Sequence, residues 1–148
     1  MDQIDRAIIG HLQHDATTPY TALGDAVGLS AAAAHERVRK LRDNGVIRAT
    51  TVDVDPALIG RDVLAYVQIE ADEWMGGADT AEALRALPWI QEAHIIAGTA
   101  SILVKVRATS TRDLQNALKR VYDIPGVTGT DTTVVLETFF ERPVYPHD

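Results

Sequence analysis

Thr18-Pro19-Tyr20 … Val27-Gly28-Leu29-Ser30 … His35-Glu36-Arg37-Val38-Arg39-Lys40-Leu41 … Asn44-Gly45 is the stretch on which the fold turns. Proline suits the first position of a helix, where its missing N–H would have no intrahelical acceptor. A short helix is therefore expected from Thr18-Pro19 to Val27-Gly28. Ser30 then stands where an N-cap is wanted, and Gly45 where a left-handed residue closes a helix. Between them Ala31, Ala34, Val38 and Leu41 recur at helical period and make an inner stripe. Ala32, Ala33, Glu36, Arg39, Lys40 and Asp43 are left facing outward, with Arg37 on the flank.

Upstream, Ile4, Ala7, Ile8 and Leu12 form one apolar stripe of a helix over Ile4 to His14, with Asp2 or Asp5 supplying the carboxylate favoured at its start. Three helices, the second and third joined by a glycine-containing turn, spell a helix-turn-helix whose third helix has a basic outer side. Downstream, Val46 to Val52 is expected to fold as a short two-stranded wing, completing a winged helix-turn-helix over residues 1–54.

Asp55 to Gly60, bracketed by Pro56 and Gly60, reads as a hinge over residues 55–62. The period then changes. Val63, Ala65, Val67 and Ile69 alternate with Leu64, Tyr66, Gln68 and Glu70, the two-residue repeat of a strand. A helix over Asp79–Leu87 ends at Pro88, strands follow at Trp89–Ala97 and Ser101–Ala108, and Ser110 and Asp113 carry capping-box spacing before a helix striped by Leu114, Ala117, Leu118 and Val121. Pro125-Gly126 turns into a last strand near Gly129–Phe140. The order βαββαβ over residues 63–148 is that of a ferredoxin-like sandwich, so the fold class is α+β. Two helices cover one face of such a sheet. Val134 and Leu136 alternate with Val135 and Phe139, so the last strand is expected to be apolar on both sides and to need a symmetric partner.

Composition narrows the function. Cysteine is absent, which excludes disulfides, thiolate metal sites and cysteine nucleophiles. With no basic-plus-apolar leader and no apolar run near the ~20 residues that span a bilayer, a cytoplasmic location is expected. The net charge of −7 looks wrong for a DNA binder until its distribution is read. Residues 1–50 carry six cations (Arg6, Arg37, Arg39, Lys40, Arg42, Arg48) against six acids, and five of those cations fall between Arg37 and Arg48. Asp occurs 14 times and Glu 7, while Lys occurs only at Lys40, Lys105 and Lys119 beside eleven Arg. Lysine-poor, aspartate-rich surfaces suit proteins kept dispersed in concentrated salt, and a halophilic source is expected. His11 and His14 lie three apart, a metal spacing without a third ligand, and read as surface residues; His147 sits in the tail. Neither a metal nor any cofactor is expected.

The pattern Ile4-Asp5-Arg6-x-Ile8 … Leu12-Gln13-x-Asp15 … Leu23-Gly24 … Val27-Gly28-Leu29-Ser30 … Glu36-Arg37-Val38-Arg39-Lys40-Leu41 … Gly45-Val46-Ile47 resembles the Lrp/AsnC, or feast/famine, regulators of bacteria and archaea, and the likeness extends over nearly the whole chain. The resemblance implies a transcription regulator rather than an enzyme, with a RAM-type second domain that dimerises through its sheet and with dimers that often join into octamers. It also implies an effector held between dimers and a helix from Ser30 to Asn44 that enters the major groove; taken with the aspartate-rich composition, a haloarchaeal member is expected. Double-stranded DNA is the expected partner, contacted through Ser30, Ala32, Ala33, His35, Arg37, Arg39 and Lys40. Alanines touch thymine methyls but read no base by hydrogen bonding, so Ser30, His35 and Arg39 carry direct readout, DNA shape supplies the rest, and Arg37 and Lys40 meet phosphates. An ion pair with a nearby acid is the alternative for Arg37, and packing at the edge of the core is the alternative for His35.

The family's effector loop usually reads Gly-Asp/Glu-aromatic-Asp, and this chain has Gly98-Thr99-Ala100-Ser101. With no carboxylate to meet an α-ammonium, a conventional amino-acid effector is not expected. Gly98, Thr99 and Ser101, with His94, Thr132 and Thr133 close by, suit a less cationic ligand, unless Gly98 merely makes a turn. Two other functions stay open: a sirohaem-decarboxylase-like enzyme of the same architecture, and a nucleoid-organising protein of low sequence specificity.

Overall fold

The computed structural model describes residues 1–146, so His147 lies outside the described residues. The chain forms two compact units, Met1–Asp53 with the tail from Phe140, and Val54–Phe139.

The first unit is built on three helices, α1 (Gln3–His14), α2 (Tyr20–Val27) and α3 (Ala31–Asp43). At the start of α1 two carboxylates cap reciprocally: Asp2 accepts from the Asp5 N–H at 2.8 Å, and Asp5 accepts from the Asp2 N–H at 3.0 Å. Pro19 sits at the N-cap of α2 rather than at its first helical position, because its ψ of 148° is extended and the helix begins only at Tyr20. Gly28, with φ 73°, closes α2 in the left-handed region that glycine enters without steric cost. Ser30 Oγ then accepts from the Ala33 N–H at 3.2 Å and starts α3. Ile8, Leu23, Ala34, Val38 and Leu41 form the buried core.

The expected wing is absent as a ladder, since residues 46–52 form no strand. The N–H groups of Val46 and Ile47 both donate to the Leu41 carbonyl, at 2.9 and 3.0 Å, and the chain then runs exposed and without regular secondary structure. The stretch contains no Gly, Asn or Asp pair to reverse it, and a lone two-stranded ribbon is marginal in water. By its contacts the tail groups with the first unit. There Gln13 donates to the Val144 carbonyl at 2.9 Å and Arg6 to that of Pro146 at 3.0 Å.

The second unit opens with a turn in place of a bare hinge, the Arg61 N–H donating to the Pro56 carbonyl at 2.7 Å. Its elements are β1 (Val63–Ala71), α4 (Ala78–Arg85), β2 (Ile90–Ile95), β3 (Ile102–Ala108), α5 (Thr111–Tyr122) and β4 (Val127–Val134). The antiparallel sheet has the order β2-β3-β1-β4, the ferredoxin-like arrangement. Ala65, Val67 and Ile69 of β1 and Ile102, Val104, Val106 and Ala108 of β3 meet Leu84 of α4 and Leu114, Ala117 and Val121 of α5 in one core, so both helices cover the same face. Ser110 accepts from the Asp113 N–H at 3.0 Å, whereas Asp113 reaches one residue further back than a capping box, to the Thr109 N–H at 2.9 Å. Its other oxygen accepts from Trp89 Nε1 at 2.9 Å.

The open face differs from the expectation of a doubly apolar last strand. β4 ends at Val134, short of Leu136 and Phe139, and register places Asp131 and Thr133 of β4 beside Gln68 and Tyr66 of β1. Lys105 and Arg107 of β3 and Glu92 and His94 of β2 share that side, which is therefore mixed in polarity. Leu136 and Phe139, beyond the strand, are 98 % and 89 % exposed.

Candidate nucleic-acid interface

The turn between α2 and α3 sets the presentation of α3. A Cβ at Gly24 would lie 2.6 Å from the Leu29 carbonyl oxygen and 3.1 Å from the Ser30 carbonyl, so only glycine lets α2 approach this closely. With Ala34, Val38 and Leu41 turned inward, Ala32, His35, Arg39, Lys40, Arg42 and Asp43 are exposed and Ala33, Glu36 and Arg37 are half-buried. Ser30, Ala32, Ala33, His35, Arg39 and Lys40 thus lie along or beside the outward side of one helix. His35 is exposed and also stands edge-on to Tyr20 of α2, ring centroids 4.7 Å apart at 81°.

The charges on this helix are engaged in ion pairs, apart from Arg42. Arg37 donates to Asp2 and to Asp5, each at 2.8 Å, so the ion pair set out as its alternative role is present, with two acids at the start of α1. Arg39 pairs with Glu36 at 2.7 Å and with Asp43 at 2.8 Å, and Lys40 stands 3.8 Å from Glu36. The hydrogen bonds from Arg39 hold the Glu36 carboxyl down at about 2, well below the ordinary glutamate value. The Asp5 N–H first, and Arg37 second, lower the Asp2 carboxyl. The pairs within α3 have the three- and four-residue spacing that a helix brings together. The Arg37 pairs join residues 32 and 35 apart in sequence, for which no local pattern gives a signal.

The effector candidates lie in the second unit and are only partly gathered. Gly98 and Thr99 are exposed in the β2–β3 turn, and Ser101 is tied to β1 by its N–H donating to the Ile69 carbonyl at 2.9 Å. His94 is on β2, its Nε2 3.3 Å from a Glu92 oxygen. Thr132 and Thr133 are on β4, opposite Val67 and Tyr66 and so on different faces. Since β2 and β4 are the two edges, His94 and the threonines stand three strand spacings, about 14 Å, apart. The expectation that they lie close within one chain is therefore wrong. The strand order implied by βαββαβ was the available signal. Among the described residues no group of three or more His, Asp or Glu could hold a metal ion, and none gathers at His11 and His14. No helix among them is long and apolar enough to cross a membrane.

A capped three-helix module with an outward-facing third helix, followed by a ferredoxin-like unit, defines a two-module DNA-binding transcription regulator. Comparison with known proteins agrees across both modules. Residues 1–42 match the AsnC-type helix-turn-helix domain and residues 64–145 the Lrp/AsnC ligand binding domain. The chain is 36 % identical over 148 residues to the HTH-type transcriptional regulator FL11 of Pyrococcus horikoshii, covering 99 % of this chain and 96 % of that one. The solved structure of E. coli AsnC superposes with a TM-score of 0.90 at 30 % identity, covering 99 % of each chain. That of the Mycobacterium tuberculosis leucine response regulatory protein LrpA superposes with a TM-score of 0.88 at 28 % identity, over 99 % of this chain and all of the other. The chain belongs to the Lrp/AsnC family of transcriptional regulators. Its relatives are named as regulators, not as decarboxylases or other enzymes.

Proposed function

We propose that this regulator acts in the cytoplasm as a homodimer or larger oligomer on a specific DNA site, laying α3 in the major groove. Ser30, Ala32, Ala33, His35 and Arg39 face base edges, with Lys40 and, from the flank, Arg37 nearer the phosphates. The observation that carries this reading is the outward side of α3, exposed at Ala32, His35, Arg39 and Lys40 and started by the Ser30 cap. Charge reversal at Arg39 and Lys40, measured by titration of its own promoter DNA, is expected to abolish specific binding. Unchanged affinity would refute the interface. Competition with unrelated duplex separates a gene-specific regulator from a nucleoid organiser, which would bind both alike.

The loop Gly98–Ser101 offers hydroxyls and backbone groups but no carboxylate, which supports a metabolite less cationic than an amino acid. His94, Thr132 and Thr133 join that site only if a second chain brings one edge to another. The 14 Asp beside 7 Glu and 3 Lys support a halophilic, haloarchaeal source. Solubility and fold should then be retained in molar potassium chloride and decline in dilute buffer; equal behaviour in both would refute it.

A further inference from the structure

The five cations between Arg37 and Arg48 are unequal once their partners are counted. Arg37, Arg39 and Lys40 are engaged by Asp2, Asp5, Glu36 and Asp43, three cations against four carboxylates. Arg42 and Arg48 are exposed and have no carboxylate partner among the described residues. The excess positive charge of this surface is therefore at these two residues.

Local backbone geometry puts them on one edge. Arg42 is in the last turn of α3, and Gly45, with φ 72°, reverses the chain beyond it. The Val46 and Ile47 N–H groups fasten the emerging segment to Leu41, and Arg42 Nη2 reaches Thr50 Oγ1 at 3.5 Å. The segment that carries Arg48 thus passes the Arg42 side chain at Thr50.

The salt dependence of DNA binding counts net neutralised phosphates, since each releases about 0.9 counterion. A cation already paired gives little: when it turns to a phosphate, the carboxylate it leaves must recruit a cation of its own in the DNA's negative field. An arginine without a carboxylate partner gives the full release. We infer that Arg42 and Arg48 are the phosphate-neutralising pair of this surface, seated on the DNA sugar-phosphate backbone at the C-terminal end of α3, while the paired cations, whether beside bases or phosphates, add contacts but little net neutralisation.

This inference rests on the DNA reading of α3, and the test separates the two. Full-length protein is titrated with promoter DNA and with unrelated duplex across a potassium chloride series. Arg42→Gln and Arg48→Gln should each reduce the slope of log K against log salt by about 0.9 per bound chain and weaken both duplexes alike, with thermal melting unchanged. Arg39→Gln should leave the slope in place and narrow the ratio between promoter and unrelated DNA. If Arg39→Gln and Lys40→Gln lower the slope while Arg42→Gln and Arg48→Gln do not, the assignment is overturned and the interface stands. If no variant alters binding to either duplex, the interface reading falls with it.

Discussion

The two units solve the same packing problem with different means. Fourteen buried side chains fill the space between the sheet and its two helices, whereas five hold the three helices of the first unit together. A unit of 50–60 residues buries too little apolar surface to be more than marginally stable on that account alone. The first unit adds two devices: a glycine that lets backbones touch at Gly24, and an arginine, Arg37, joining α3 to both capping carboxylates of α1. The lesson is that cations on a candidate DNA-binding surface can be structural. A cluster counted as five in the sequence retains two without a carboxylate partner.

The strongest way to break this comparison is to remove one large side chain from each core. Leu23→Ala should cost roughly 2–5 kcal/mol, as should Ile69→Ala in the sheet. At about 0.05–0.15 kcal/mol per residue, that cost is a larger share of the stability of the smaller unit than of the larger. Hydrogen exchange on Leu23→Ala is therefore expected to show lost protection in α1–α3 and retained protection in β1 and β3. Loss of both together would mean that the units form one cooperative block, and the contrast drawn above would be wrong.

Gly24→Ala sharpens the same contrast with a smaller change. The added methyl meets backbone oxygen, which cannot swing aside, and overpacking of this kind costs roughly 1–3 kcal/mol. At Gly98 in the β2–β3 turn a Cβ would meet nothing within 4 Å, so Gly98→Ala should leave melting nearly unchanged. A pair of thermal melts decides it: equal shifts for the two variants would show that close approach of α2 to the turn is not a requirement.

Local features were the legible ones. Helix ends at Asp2, Ser30 and Gly28 follow from side chains within three or four residues, and the alternation of β1 gave its buried face directly. What escaped was set by distant residues or by absent ones. Arg37 finds its acids more than thirty residues away. A wing over Val46 to Val52 needs a residue that reverses the chain, and the segment has none. The strand order β2-β3-β1-β4, which the βαββαβ pattern implies, keeps His94 away from Thr132 and Thr133. On β4 the apolar alternation of the sequence continues past Val134, where the ladder stops, so the strand itself carries less apolar surface than the sequence pattern suggests.

The smallest expected effect tests the pairing itself. Glu36 is held at about 2 by Arg39, and its pairing is intact at pH values above the ordinary glutamate range. A carboxylate whose folded value is depressed contributes stability that is present above its unfolded value and is lost as pH falls through the folded one. For Glu36 that window runs from about 4.5 down to about 2. An NMR titration at low ionic strength should put its midpoint near the lower limit, and Arg39→Gln should return it to the ordinary range. Because the pair is exposed and screened by salt, the midpoint should also rise as potassium chloride is added. A midpoint already ordinary at low salt would mean that Glu36 does not hold Arg39. Arg39 would then be held by Asp43 alone, and the contrast between the paired and unpaired cations of this surface would narrow.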